Sequence, residues 1–211
     1  MFRKLTHRWG GLLLVLVLAF FLEALFGPSF LVELSCIALF AIALLGALAI
    51  AKADRLLRTA GLAIAIIWFF VSTAMLFGAP LQGPAIVMSG LLVLCSLYGT
   101  FAYLMTARRS DLEVLLGAIY GYLVLAMAWA LLFLQIEASR PGSFSVPLNA
   151  DPWSTFLYYS IVTLTTLGYG DVTPVSNLAR LAAGFESIIG VLYIAVLVGS
   201  IIGSYQRRPD R

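Results

Sequence analysis

Six apolar runs dominate this chain, at residues 10–26, 30–51, 60–79, 84–105, 112–136 and 178–205. Each is long enough to cross a bilayer, whose hydrocarbon core of about 30 Å asks for about 20 apolar residues in a helix. In lipid the backbone must satisfy its own hydrogen bonds, so runs of this length predict helices. Composition closes off the soluble alternatives. Hydrophobic residues make up 62% of the 211 and charged residues 11%, where a soluble domain carries about 25% charged. Too few polar side chains remain to clothe a globule, which excludes a soluble enzyme and a disordered chain. The expected fold class is an all-α membrane protein with six transmembrane helices.

The net charge of +3 does not point to a nucleic-acid partner, because the basic residues collect at the ends of the apolar runs. Arg3, Lys4 and Arg8 precede the first run. Lys52, Arg55 and Arg58 fill the second connection, Arg108 and Arg109 the fourth, and Arg207, Arg208 and Arg211 follow the last. The first and third connections hold no Lys or Arg, and Arg140 and Arg180 are left for the opposite side. Basic residues favour the cytoplasmic side, so both termini are expected in the cytoplasm, beneath a plasma or inner membrane. A basic start before apolar residues 11–22 is also the pattern of a signal peptide. Glu23 interrupts that run and no clear small-x-small cleavage site precedes the next one, so the first run reads as a retained span. With so few residues after Tyr205, no cytoplasmic ligand-binding domain is expected.

Two thiols, Cys36 and Cys95, fall inside apolar runs and read as packing residues, with neither a disulfide framework nor a metal site. Small residues recur at helical spacing: Ala43, Ala47 and Ala51; Gly117 and Gly121; Gly199 and Gly203. Such stripes let helices approach closely in lipid, and helix packing is the reading adopted for all three.

Residues 137–177 do not read as an ordinary loop. A polar, turn-rich stretch from Glu137 to Asn149 leads to Asp151-Pro152, a helix start with a capping carboxylate and proline in the first turn. Apolar residues 153–164 follow. At 1.5 Å per residue they reach about 18 Å, too short for the bilayer core. A short apolar helix between two outer-side points must enter the membrane and turn back. Irregular backbone at that depth is tolerated only where protein buries it or it lines a watery path. The next residues are Thr163-Leu164-Thr165-Thr166-Leu167-Gly168-Tyr169-Gly170-Asp171. Glycines at two of these positions open backbone conformations in which successive carbonyls point the same way. Such a row of oxygens can replace the water shell of a cation, with the Thr166 hydroxyl at the inner end. The carboxy-terminal dipole of the short helix adds partial negative charge nearby.

The pattern T-x-x-T-x-G-Y-G-D resembles the signature of potassium channels, whose filters select ions with backbone carbonyls. The likeness covers roughly residues 151–203 and is similar to bacterial two-helix pores. The first four runs match the six-helix, one-pore-loop plan in number and topology. The resemblance implies a filter of Thr166, Leu167, Gly168, Tyr169 and Gly170, with K+ held at Thr166, Leu167, Gly168 and Tyr169 and Asp171 at the mouth. It also implies a gating hinge at Gly190. Domains then follow: a four-helix membrane domain at 1–109, a pore domain of outer helix, pore helix, filter and inner helix at 110–206, and a short cytoplasmic tail at 207–211.

Three positions depart from the family pattern. Leu167 stands where the commonest filter has valine, its side chain directed away from the ion path. Val162 occupies a place where some relatives carry a glutamate paired with the filter aspartate, so Asp171 needs another partner, Tyr159 or a water. The fourth run carries no Arg or Lys between Pro84 and Thr106. One charge crossing the field is worth about 2.3 kcal/mol per 100 mV, and without such charges strong voltage sensing is not expected.

Several residues admit two readings. Glu186, a carboxylate inside the last run, either braces the filter through a pore-helix hydroxyl such as Thr163 or packs as a protonated side chain. Ile194 and Val198 line a dewetting constriction or simply pack. Trp153, Tyr158 and Tyr159 form an aromatic cuff around the filter or an interfacial belt. Glu23 and Glu33 read as solvated at the interface, and His7 as solvated in the amino terminus. The expected function is a passive, homotetrameric potassium channel embedded in lipid, with K+ as permeant ion and no cofactor. The competing readings are a weakly selective cation channel and a silent subunit that assembles with other channel chains. An unseen regulatory subunit stays open as a partner. An intramembrane protease is disfavoured, since His7, the only histidine, lies outside the runs and H-E-x-x-H is absent. Four identical strands are needed to encircle one ion, which is why closed rotational symmetry is expected; one filter segment per chain argues against a transporter with four internal repeats.

Overall fold

A computed structural model describes residues 8–27, 29–51, 55–106, 112–146 and 151–206. Seven helices lie along these residues: α1 (Arg8–Phe26), α2 (Phe30–Ile50), α3 (Arg55–Leu76), α4 (Gln82–Thr106), α5 (Leu112–Ser139), α6 (Pro152–Leu164) and α7 (Asn177–Gln206). Five of them, α2 to α5 and α7, are long and apolar enough to cross a membrane by length and composition, while the described apolar part of α1 is the shorter Arg8–Leu22. The all-helical expectation needs one addition. β1 (Phe144–Ser145) and β2 (Thr173–Pro174) form a two-stranded antiparallel ladder, with Phe144 opposite Pro174 and Ser145 opposite Thr173. His7, Lys52, Arg108, Arg109 and the tail basic residues lie outside the described residues.

Helix ends differ from the apolar runs where capping chemistry takes over. The third run was expected to end at residue 79, yet α3 stops at Leu76. Gly78 adopts a left-handed φ of 87°. Its N–H reaches the Met75 carbonyl at 2.9 Å, and the Ala79 N–H reaches Ala74 at 3.2 Å. That paired closure is the Schellman end, which satisfies carbonyls the helix leaves open. At its start, α3 reaches back to Arg55 because long basic side chains extend a helix into the interface without burying charge. α5 runs past residue 136 to Ser139, and α2 begins behind Ser29, whose hydroxyl accepts from the Val32 N–H at 3.4 Å.

The chain divides into two compact units, residues 1–121 and 122–211, and the division falls inside α5. In the first unit α2 packs against α1, α3 and α4. Ala43 and Ala47 are fully buried there, as the small-residue stripe predicts. Gly117 supports a second close approach, since a side chain there would press on the Trp9 indole. Trp9 is itself fully buried, with ring centroids 5.1 Å from Tyr103 and 5.4 Å from Tyr120. A polar seam ties α2, α4 and α5: the Tyr120 hydroxyl donates to the Ala43 carbonyl at 2.9 Å and lies 3.1 Å from Ser96 Oγ. The surroundings of the Gly199 and Gly203 pair and the side chain of Glu23 lie outside the described residues.

In the second unit α6 packs against α7 and the β1–β2 ladder closes the connection around them. Its core is aromatic. Tyr159 and Phe144 each lie 5.0–5.5 Å from neighbouring rings, Phe133 joining both.

Candidate functional site

α6 begins as its sequence dictates. Asp151 caps it, accepting from the Ser154 N–H at 2.7 Å, and Pro152 occupies the first turn. It holds 13 residues, about 20 Å of helix, short of a bilayer core. Its last four carbonyls are all occupied. Ile161 accepts from Thr165, through N–H at 3.1 Å and hydroxyl at 2.7 Å. Val162 accepts from the N–H groups of Leu167 at 2.9 Å and Gly168 at 3.3 Å. Thr163 accepts from the Thr166 N–H at 2.9 Å and the Ser187 hydroxyl at 3.3 Å, and Leu164 from the Tyr122 hydroxyl at 3.0 Å. Helix ends normally leave such groups open; here α5, α7 and the following strand close them.

Beyond α6 the backbone alternates in hand. Thr166 has φ 58°, Gly168 58° and Gly170 82°, whereas Leu167 and Tyr169 are not in the positive-φ region. In an ordinary strand successive carbonyls point to opposite sides. Positive-φ residues thus alternate with the others along residues 166–170, a pattern that lets successive peptide planes turn the same way. Among the described residues none of these five carbonyls accepts a hydrogen bond. Residues 165–171 are exposed in the single chain, Leu167 by 56% and Tyr169 by 68%. Among the described residues the free acceptors are therefore those of residues 166–170 rather than those of α6's last turn. Glycine at two of the three left-handed positions was legible in the sequence; threonine at the third was not, since side chains rarely adopt that region.

Asp171 finds a partner other than the one expected. The Tyr158 hydroxyl donates to Asp171 Oδ2 at 2.8 Å, and the Tyr158 ring stacks on Tyr169 at 6.4 Å with the planes 4° apart. The carboxylate's hydrogen bond raises the Tyr158 phenol above its ordinary value, keeping it a donor. Tyr159 points into the Phe133 and Phe144 rings instead. Helical spacing held part of the signal: Tyr158 is four residues before Val162 and shares its face of α6, so the position read as neighbouring Asp171 pointed to Tyr158 as well.

Glu186 is fully buried on α7. Its hydroxyl partner is Ser160, at 2.5 Å, rather than Thr163, and Ser160 also donates to the Ala126 carbonyl of α5 at 2.8 Å. Thr163 contributes its carbonyl to this region. A serine in an apolar helix needs an acceptor close by, a signal that pointed to Ser160. Gly190 sits in the continuous helix α7, and a Cβ there would overlap the Leu164 carbonyl. Its lack of a side chain is what lets α7 lie against the end of α6. Ile194 is 44% exposed; the Val198 side chain lies outside the described residues. In the connection between α5 and β1, the Glu137 carboxylate accepts from the N–H groups of Gly142 at 2.7 Å and Phe144 at 3.0 Å. The Ser143 carbonyl accepts from Val175 at 2.7 Å. The two limbs of the connection are thereby pinned together.

Residues 90–207 match the family model described as ion channel. The chain belongs to the ion channel family. It is 34% identical over 92 residues to the potassium voltage-gated channel protein Shal of Drosophila melanogaster, covering 41% of this chain and 15% of that one. It is 32% identical over 89 residues to the human A-type voltage-gated potassium channel KCND3, covering 41% and 13%. Against the voltage-gated potassium channel regulatory subunit KCNF1 of Rattus norvegicus it is 31% identical over 101 residues, covering 47% and 19%. The chain thus spans a small fraction of these relatives' length. No solved structure matches it significantly. Family membership and five helices of spanning length make this channel protein a multi-pass membrane protein.

Proposed function

We propose that this chain is one subunit of a passive, potassium-selective channel, with four copies around a common ion path. The observation that carries the reading is the segment at residues 166–170, where positive φ alternates along the backbone and the carbonyls accept no hydrogen bond among the described residues; that alternation suits a row of oxygens turned to one side. A row of unpaired backbone oxygens is costly unless something polar meets it, and a dehydrated cation meets that need. One strand covers one flank of an ion, so four rotationally related copies complete the shell. α6 then serves as the re-entrant pore helix, α5 and α7 as outer and inner helices, and α1 to α4 as a further membrane domain bounded near residue 109. Asp171 stands at the mouth, Gly190 is the point where α7 bends on opening, and Ile194 and Val198 line the path below it. The exposed apolar side chains of α7, such as Phe185 and Ile188, suit neighbouring copies and lipid.

The relatives named above include voltage-gated channels, but α4 has no Arg or Lys from Gln82 to Thr106. Gating by strong voltage sensing is not part of the proposal. Both termini lie in the cytoplasm beneath a plasma or inner membrane on the distribution of basic residues. A second reading, a subunit that works only with other channel chains, is favoured by one relative being named a regulatory subunit.

Planar-bilayer recording of purified protein with K+ on one side and Na+ on the other tests the proposal. A reversal potential set by K+ supports it. Equal permeability overturns the selectivity, and silence of the homomer favours the second reading.

A further inference from the structure

Ser160 Oγ lies 2.8 Å from the Ala126 carbonyl oxygen and 2.5 Å from Glu186 Oε1. A serine hydroxyl has one hydrogen, a carbonyl has none to give, and an ionised carboxylate has none either. Both contacts are hydrogen bonds only if the second hydrogen comes from Glu186. The surroundings agree: Glu186 is fully buried and its other oxygen, Oε2, has no partner among the described residues. Among the described residues the titratable groups facing it are the phenols of Tyr122 on α5 and Tyr159 on α6. Neither carries positive charge, and a buried carboxylate without a cation is costly.

We infer that Glu186 is a neutral carboxylic acid acting as a hydrogen-bond donor, in a relay from Glu186 to Ser160 to the Ala126 carbonyl that positions α6 between α7 and α5. The inference rests on the reading of α6 as the helix that carries the filter. Glu186 and Ser160 are positioning residues; they touch no ion. When Glu186 gives its proton to hydroxide in the bath, the carboxylate claims the single Ser160 hydrogen. Ala126 then loses its hydroxyl donor and α6 is released from α5. Alkaline conditions therefore loosen the helix behind the filter, and neutral conditions hold it.

Infrared difference spectroscopy of the full-length protein in lipid, wild type minus Glu186→Gln, reads the protonation state directly. A protonated-carboxyl stretch at neutral pH is expected, shifted in Ser160→Ala, where the acid has lost its acceptor. Carboxylate bands at neutral pH, or a stretch unmoved by Ser160→Ala, overturn the relay. Rubidium uptake into vesicles gives the functional arm. Uptake by wild type is expected to be lost at alkaline pH and retained by Glu186→Gln, whose amide still donates to Ser160. Equal alkaline loss in both proteins overturns the role in positioning. If no form takes up rubidium, the channel reading fails, and the infrared band still decides the state of Glu186.

Discussion

Tyr158 and Tyr159 are adjacent in sequence and do different work. Tyr158 holds Asp171 through its hydroxyl, and Tyr159 packs its ring 5.0 Å from Phe133. Tyr158→Phe removes a hydrogen bond to a charged group, the kind that contributes most where it is shielded. Steady K+ current in planar bilayers should fall several-fold in Tyr158→Phe and hold in Tyr159→Phe. Equal effects would show that Asp171 does not depend on this contact. Two glycines of α7 form a similar contrast. Gly190→Ala drives a Cβ into the Leu164 carbonyl, whereas a Cβ at Gly184 meets nothing within 4 Å. Overpacking against backbone costs about 1–3 kcal/mol, so Gly190→Ala should melt earlier in detergent. Gly184→Ala, which improves helix propensity by up to about 1 kcal/mol, should melt no earlier than wild type.

At the scale of elements, Glu137 holds the turn between α5 and β1, and Tyr122 and Ser187 hold the carboxy-terminal end of α6. Glu137→Ala leaves the Gly142 and Phe144 N–H groups without their acceptor. The expected loss is about 1–3 kcal/mol, read as a lower thermal midpoint and as faster proteolysis between residues 140 and 146. Unchanged cleavage there would count against the pin. Gly168 has φ 58°; an L side chain in that region costs about 1–2 kcal/mol. Gly168→Ala relieves the strain by turning its peptide over, which re-aims one of the free carbonyls of residues 166–170. Rubidium uptake should disappear while the oligomer survives gel filtration.

At the scale of the molecule, assembly and gating meet. Native mass spectrometry should give a particle four times the 22.9 kDa of one chain; a monomer that conducts would refute the shared filter. Conductance should vary little over about 100 mV, a span in which a single sensor charge is worth about 2.3 kcal/mol. α5 belongs to both compact units, with residues 112–121 in the first and the rest in the second, so its two parts answer to different neighbours.

Hydropathy placed the helices because the bilayer thickness sets a length that a linear count can measure, and the Asp151-Pro152 start was plain because capping is a contact between near neighbours in sequence. The glycines at 168 and 170 announced their backbone conformation for the same reason: left-handed φ is a local property of residue type. Partners across space were another matter. Helical spacing and a serine in an apolar helix made Tyr158 and Ser160 candidates, but which tyrosine meets Asp171, which hydroxyl meets Glu186 and what Gly190 touches were decided by how α5, α6 and α7 rotate against one another. Rotation by one residue moves a side chain about a third of the way round a helix, and only packing sets that angle.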